Sequence, residues 1–382
     1  MTPIYLDEQA TTRLDPAVRA AMTPWWDIPT NPHSAHRHGN TAHAAVEAAR
    51  GAVAELIGAT SDTVAFTSGA TEANNWALIG TMTAPGQTRR RLITFATEHS
   101  AVLEPARWLA GLGVELTILG VDAAGVIRLD ELRAALDDRV ALVSAMFVNN
   151  EVGVIQPVAE IARLAHEVGA RFHCDAAQAF GKLTIDVDEF GVDMISVSGH
   201  KIYGPQGIGA LYRRPGVTVA PLLHGGGQED GRSGTLPVAL AVGLGAAARI
   251  AGERMVDDAA HVEALWTRAD IGLAGIDWSL NGSAAHRWRG NLNARFAGVD
   301  GARLLSDVTR RVSLSSGSAC AAASGRESHV LAALGLTRAQ ARASLRLGWG
   351  RFTSEADVDE AMHAIDDAVR AQRRIAKPRK AA

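Results

Sequence analysis

Between about residue 43 and residue 212 the hydrophobic pattern switches back and forth between a helical period and short apolar runs, and few architectures accommodate that alternation. The helical period is clearest where Val46, Ala49, Val53, Leu56 and Ile57 share one face of a segment that stops at Gly58. Apolar or β-branched runs follow at residues 63–67, 92–95, 114–119, 140–147, 171–174, 194–197 and 208–212, which predicts seven strands. Helical patterns such as 158–168 lie between several of them, and parallel neighbours require crossovers of that kind. The expectation is an α/β fold whose mostly parallel seven-stranded sheet is covered by helices on both faces.

A Gly-rich segment at 223–234 breaks the alternation, and an Ala-rich helical stretch from 238 to about 255 follows it. Beyond that, short strands at 295–297 and 344–347 mix with helices. The chain is thus expected to form a large domain over residues 13–255 and a smaller α+β domain over residues 1–12 and 256–382. Its 382 residues suffice for a sizeable core in that arrangement. With 38 basic and 41 acidic residues and a formal charge of -3, nothing electrostatic favours a nucleic acid or a membrane as the main partner, so a small-molecule substrate is expected. The basic end, with Arg373, Arg374, Lys377, Arg379 and Lys380, has the character of a solvated tail. The first residues include Asp7 and lack the basic start and apolar run of a secretory signal, and no stretch nears the roughly 18 apolar residues of a membrane helix. Two cysteines far apart, Cys174 and Cys320, make no disulfide framework and suit a reducing cytoplasm.

Ligands of open α/β sheets bind beyond the carboxyl ends of the strands, so polar residues just after the runs carry the candidate chemistry. Ser68-Gly69-Ala70-Thr71-Glu72 follows one run and opens a helix, where free N–H groups and the helix dipole suit a phosphate, or else form a plain cap. Asp175 ends another, with Gln178 three residues on; a buried carboxylate there needs a cation or donors, and a protonated pyridine nitrogen is one such cation. A third run leads into Ser198-Gly199-His200-Lys201, and a lysine desolvated at the mouth of a sheet has the lowered proton affinity that Schiff-base chemistry needs. An Asp and a Lys so placed in one chain point to pyridoxal phosphate. His99 also follows a strand and can stack on a planar ring or shuttle protons. Cys320 sits in Ser315-Ser316-Gly317-Ser318-Ala319-Cys320-Ala321-Ala322, small residues with little to anchor them in a core, whereas Cys174, inside a strand, is expected to be buried. His33, His36, His38 and His43 lack the carboxylate or thiolate company and the spacing of a metal site, and no metal is expected.

These positions recur in order, from Ile4-Tyr5-Leu6-Asp7 and Ala10-Thr11-Thr12 through Glu98-His99, Asn149-Asn150-Glu151, Asp175-Ala176-Ala177-Gln178, Ser198-Gly199-His200-Lys201 and Arg232-Ser233-Gly234-Thr235 to Ser318-Ala319-Cys320 and Arg346. As an ordered set over nearly the whole chain, they resemble the cysteine desulfurases of the class V aminotransferase group, fold-type I pyridoxal-phosphate enzymes. The resemblance implies that Lys201 holds the cofactor, that Asp175 pairs with its pyridine nitrogen and Gln178 with its phenolic oxygen, and that His99 stacks on its ring. It implies a phosphate held by Ala70, Thr71, Ser198 and His200, with Thr235 reaching across from the second subunit of a homodimer. Asn150 and Arg346 would orient L-cysteine, Arg346 by a bidentate grip on the carboxylate. Cys320 would take the sulfur as a persulfide and pass it to an acceptor protein, such as an iron-sulfur scaffold or a tRNA-thiolation partner.

Three features depart from the resemblance. The stretch from His224 to Arg232 is one residue shorter than usual, which bears on the reach of Thr235. Glu8 follows Asp7 where relatives usually carry an aromatic residue or asparagine. The chain ends 36 residues after Arg346, shorter than the scaffold-loading relatives.

Overall fold

The computed structural model describes residues 3–316 and 327–376. Its strands are β1 (Ile4–Tyr5), β2 (Val64–Thr67), β3 (Arg91–Phe95), β4 (Glu115–Leu119), β5 (Val140–Met146), β6 (Arg171–Asp175), β7 (Met194–Ser198), β8 (Gly209–Arg213), β9 (Trp278–Leu280), β10 (Asn291–Phe296), β11 (Val312–Ser313) and β12 (Ser344–Gly348). Each of the seven runs between residues 63 and 212 forms a strand of one sheet, in the order β2-β8-β7-β6-β5-β3-β4. Only β8 runs against its neighbours, β2 and β7; every other pairing is parallel. The expected α/β fold with a mostly parallel seven-stranded sheet is the observed one.

Side chains alternate across a strand, and here the alternation feeds two separate apolar layers. Leu92, Leu142, Met194 and Leu211 pack on one face with Trp76 and Leu78 of the helix Ala70–Met82. Their neighbours Ile93, Val143, Ile195 and Tyr212 face the other way, into the layer that holds Ile161 and Leu164 of the helix Val158–Glu167. Both faces are therefore covered. At the β4 edge the burial lapses, with Ile118 exposed.

The helix that follows the Gly-rich segment is Val238–Leu273, 36 residues and about twice the reach that its Ala-rich part suggests. The charged stretch after Gly252 looks like an end in sequence, yet Arg249 pairs with Glu253 and Arg254 with Asp258, the i,i+4 spacing that supports a continuing helix. One half lies so close to the helix Arg37–Glu55 that a Cβ on Gly245 would come within 2.5 Å of Ala49 Cα; the other half meets the helix Glu355–Ala376 at Gly272 and Met362. Next to these, β12, β10 and β9 form an antiparallel sheet with Asn293 opposite Arg346. The chain start joins this region through β1, which pairs with β11, and through a bridge from Asp7 to Gly348.

Candidate active site

A cavity of about 600 Å³ opens beyond the carboxyl ends of β2, β6 and β7. Ala70, Thr71, His99, Asn150, Asp175, Gln178, Ser198, His200, Lys201 and Arg346 all line it, so nearly every site residue expected from the sequence converges on one space. Thr235 does not: it is exposed and lies outside the cavity wall of its own chain. Cys320 lies outside the described residues.

At one end of the cavity, Thr67 leaves β2 and Gly69 caps the helix Ala70–Met82 with φ of 150°, a conformation that side chains rarely adopt. Gly69 brings no side-chain cap, so the first N–H groups of the helix stay available to an anion. The turn also packs tightly: a Cβ on Gly209, at the start of β8, would lie 2.7 Å from Gly69 Cα. Glu72 ties the turn down by accepting from Ser68 N at 2.8 Å and from Arg232 Nε at 2.8 Å. His200, whose Nδ1 shares a hydrogen bond with Thr11 Oγ1 at 3.1 Å, is drawn down to a pKa of about 4 by burial and then by Lys201 and Lys182, so it serves as a neutral ring.

Asp175 ends β6 as a buried carboxylate. Asn74 Nδ2 donates to its Oδ2 at 2.7 Å and Ala177 N to its Oδ1 at 3.0 Å, and among the described residues no basic side chain forms an ion pair with it. That donor set orients the group and leaves its charge for a cationic ligand. Lys201 sits on the short helical turn Gly199–Lys201 after β7. Its Nζ donates to Gln9 O at 2.5 Å and Ala10 O at 2.7 Å. Burial, then Lys182 and Arg346, lower its pKa from 10.5 to about 7, against the smaller opposing pull of Asp7 and Asp175.

His99 caps the helix Ser100–Gly111, its Nδ1 accepting from Ala101 N at 3.1 Å. That bond fixes the neutral tautomer with the proton on Nε2, and burial lowers the ring's proton affinity. Gln178 donates from Nε2 to Gln9 O at 2.9 Å. Arg346 is only 2% exposed. Its Nη2 donates to Asp7 Oδ1 at 2.6 Å and to Ser315 Oγ at 3.3 Å, and its Nη1 to Asn150 O at 3.1 Å. Part of the fork expected to hold a substrate carboxylate is thus already held by Asp7. Among the described residues its Nε has no partner.

Several contributors were not singled out from sequence. The carbonyls of Gln9 and Ala10 carry no side-chain signal at all. Asn74 announces itself only as an amide on an otherwise apolar helix face, together with Ala73, Ala77 and Leu78. Glu98, beside His99, is fully buried; its Oε1 accepts from Met146 N at 2.9 Å, and burial holds its carboxyl well above the usual range. Cys174 is buried in β6 as expected, its thiol pushed up by burial and by Asp175. His36, from the histidine cluster, caps the helix Arg37–Glu55, accepting from Gly39 N at 3.1 Å.

A large mixed sheet with an aspartate and a lysine at neighbouring strand ends, and an uncapped helix start lining the same cavity, is the frame of a fold-type I pyridoxal-phosphate enzyme. The class V aminotransferase family matches residues 4–360. Cysteine desulfurase IscS of Rickettsia akari is 46% identical over 370 residues, covering 95% of this chain and 90% of that protein. The mitochondrial cysteine desulfurase of Eremothecium gossypii is 48% identical over 373 residues, covering 96% of this chain and 76% of that one. Among solved structures, a NifS-like protein superposes with a TM-score of 0.91 at 34% identity, over 97% of this chain and 100% of the other. The chain belongs to the cysteine desulfurases of the class V aminotransferase family, enzymes that use pyridoxal phosphate.

Proposed function

We propose that this chain takes sulfur from free L-cysteine, leaves L-alanine, and carries the sulfur on Cys320 as a persulfide for transfer to an acceptor such as an iron-sulfur scaffold or a tRNA-thiolation partner. The observation that carries the reading is Lys201, an amine inside the cavity with a pKa drawn to about 7, in the same space as Asp175, a buried carboxylate with no ion-pair partner among the described residues.

The residues fit the cofactor. The uncapped helix start at Ala70 and Thr71, with Ser198 and the neutral His200, suits its phosphate; Asp175 suits the ring nitrogen, Gln178 the phenolic oxygen, His99 a ring face and Lys201 the aldehyde carbon. Bound there, pyridoxal phosphate supplies an electron sink for the substrate's α-carbon. The protein's own groups do the rest. Arg346, steadied by Asp7, holds the substrate carboxylate through the part of its fork that Asp7 leaves open, with Asn150 beside it. Lys201, able to exist as a free amine near neutral pH, accepts the α-proton. His99, which lines the cavity, holds a proton at Nε2. In the sulfur transfer, the cysteine Cβ–S bond breaks and an S–S bond to the Cys320 thiolate forms. A proton on carbon completes the methyl group of alanine, so no outside oxidant is needed.

The same reading makes the enzyme a homodimer in which Thr235 serves the partner's cavity. It divides the chain into a large domain over 13–255 and a smaller one over 1–12 and 256–382, and places the enzyme in the cytoplasm. Among the described residues no helix is long and apolar enough to cross a membrane. The test is release of alanine and sulfide from L-cysteine in the presence of a thiol reductant. Wild type should yield both, and Cys320→Ala and Lys201→Ala should each lose sulfide release. Full turnover by Cys320→Ala would remove the persulfide role and leave a lyase.

A further inference from the structure

Gln9, whose carbonyl receives Lys201, lines both the cavity and a second, much smaller chamber of about 20 Å³, which Glu8, Lys182, Tyr203 and Asp258 also line. That volume accommodates one water molecule. Lys182 is half-buried as a residue, but its amine is enclosed by protein and donates to Gln178 Oε1 at 3.2 Å. Gln178 Nε2 donates in turn to Gln9 O, the carbonyl that also receives Lys201 Nζ. A single file of polar groups therefore joins the two lysines: Lys182, the Gln178 amide, the Gln9 carbonyl, Lys201. On the chamber wall Glu8 is buried, and its Oε2 has no hydrogen-bond partner among the described residues. Gly350 makes the close approach possible, since a Cβ there would lie 2.0 Å from the Tyr203 hydroxyl and 3.1 Å from Glu8 Oε2.

We propose that Glu8 and Lys182, which line one buried chamber without a direct ion pair, act together as positioning residues for Lys201. Lys182 fixes Gln178 by its carbonyl and, as a second buried ammonium joined to Lys201 through Gln178 and Gln9, opposes a charge on Lys201. Glu8 sets how much charge Lys182 retains.

The surrounding groups define the sign. Lys201 feels Lys182, Arg346, Asp7 and Asp175. Lys182 feels Glu8, which sustains its ammonium against burial, and its pKa falls to about 8. Glu8 feels burial first, then Lys182, Arg351, Tyr203 and Asp7, and its carboxyl rises to about 7. Removing the Lys182 charge takes away a repulsion and raises the proton affinity of the Lys201 nitrogen. Removing the Glu8 charge leaves Lys182 without its counter-ion, so that Lys182 sheds its proton at lower pH; the Lys201 nitrogen then shifts in the same direction, by less.

The inference rests on Lys201 carrying the cofactor, and its test reads the visible absorbance of the bound cofactor against pH in holoenzyme, without turnover. Lys182→Met should move the titration midpoint upward by about one pH unit. Glu8→Gln should move it upward by less, and should add no upward shift in the Lys182→Met background. Lys182→Arg, which keeps the charge, should restore the midpoint toward wild type. If Lys182→Met does not retain cofactor, the isosteric Glu8→Gln decides alone, and an unmoved midpoint overturns the proposal. A normal wild-type titration with no shift in Lys182→Met, or a Glu8→Gln shift of equal size in both backgrounds, overturns this proposal alone. Absence in wild type of a visible band that depends on Lys201 overturns the assignment of Lys201, and the role of Glu8 and Lys182 with it.

Discussion

The cavity has two sides built in different ways. Its floor comes from the ends of adjacent strands, where Asp175 on β6 stands opposite Ser196 of β7 and Met146 of β5, and Lys201 follows β7 by three residues. Its far wall is gathered from remote segments: Arg346 is joined to Asp7 across 339 positions, to Asn150 across 196 and to Ser315 across 31. On the floor, main-chain pairing decides where the chemical groups stand, so a substitution there should change chemistry and leave the frame alone. On the wall, one buried ion pair holds the pieces, so a substitution should cost stability and binding together.

The sharpest test of the floor is Lys201→Ala. Sulfide release should fall on the order of 10³-fold or more while circular dichroism stays that of the wild type; a loss of folded signal would erase the contrast. On the wall, Asp7→Ala strands the Arg346 guanidinium without its counter-ion, and a buried pair broken in this way costs about 3 kcal/mol, to be read by urea unfolding. The KM for L-cysteine should rise in the same variant. Unchanged stability would show that the wall does not depend on this pair.

The third effect is one of pH. An amine must be unprotonated to attack an aldehyde, and Lys201 in the cofactor-free protein has a pKa of about 7 in place of 10.5. Its rate of capture of pyridoxal phosphate should therefore fall about tenfold per pH unit below that value and level off above it, whereas an exposed lysine would keep gaining toward pH 10. The smallest effect concerns how the floor is braced. Asn74→Ala removes one of the two donors on Asp175, and cofactor affinity should drop about fivefold, equivalent to about 1 kcal/mol, in an equilibrium titration.

Much of the floor was legible in the sequence. Strand runs are short-range patterns, set by side-chain alternation and by the turn residues that end them, and Asp175, Lys201, His99 and the Ser68–Thr71 turn each directly follow such a run. The true length of the helix Val238–Leu273 was not legible, because its charged middle is indistinguishable from an end until Arg249, Glu253, Arg254 and Asp258 are seen to pair along it. Nor were the Gln9 and Ala10 carbonyls that receive Lys201, since a main-chain acceptor has no residue type.

By itself the sequence determined the seven strands, the mostly parallel character of their sheet and the identities of the groups at the strand ends, because those depend on periodicity over five to ten residues, whereas the strand order is a tertiary result. Only the tertiary structure decided that Asp7 occupies part of the Arg346 fork and that Glu8 and Lys182 share a chamber with Gln9. It likewise left Thr235 on the surface of its own chain. Those relations join segments as much as 339 positions apart, and they exist only once the burial of apolar faces has brought the segments together and excluded the water that would otherwise screen their charges.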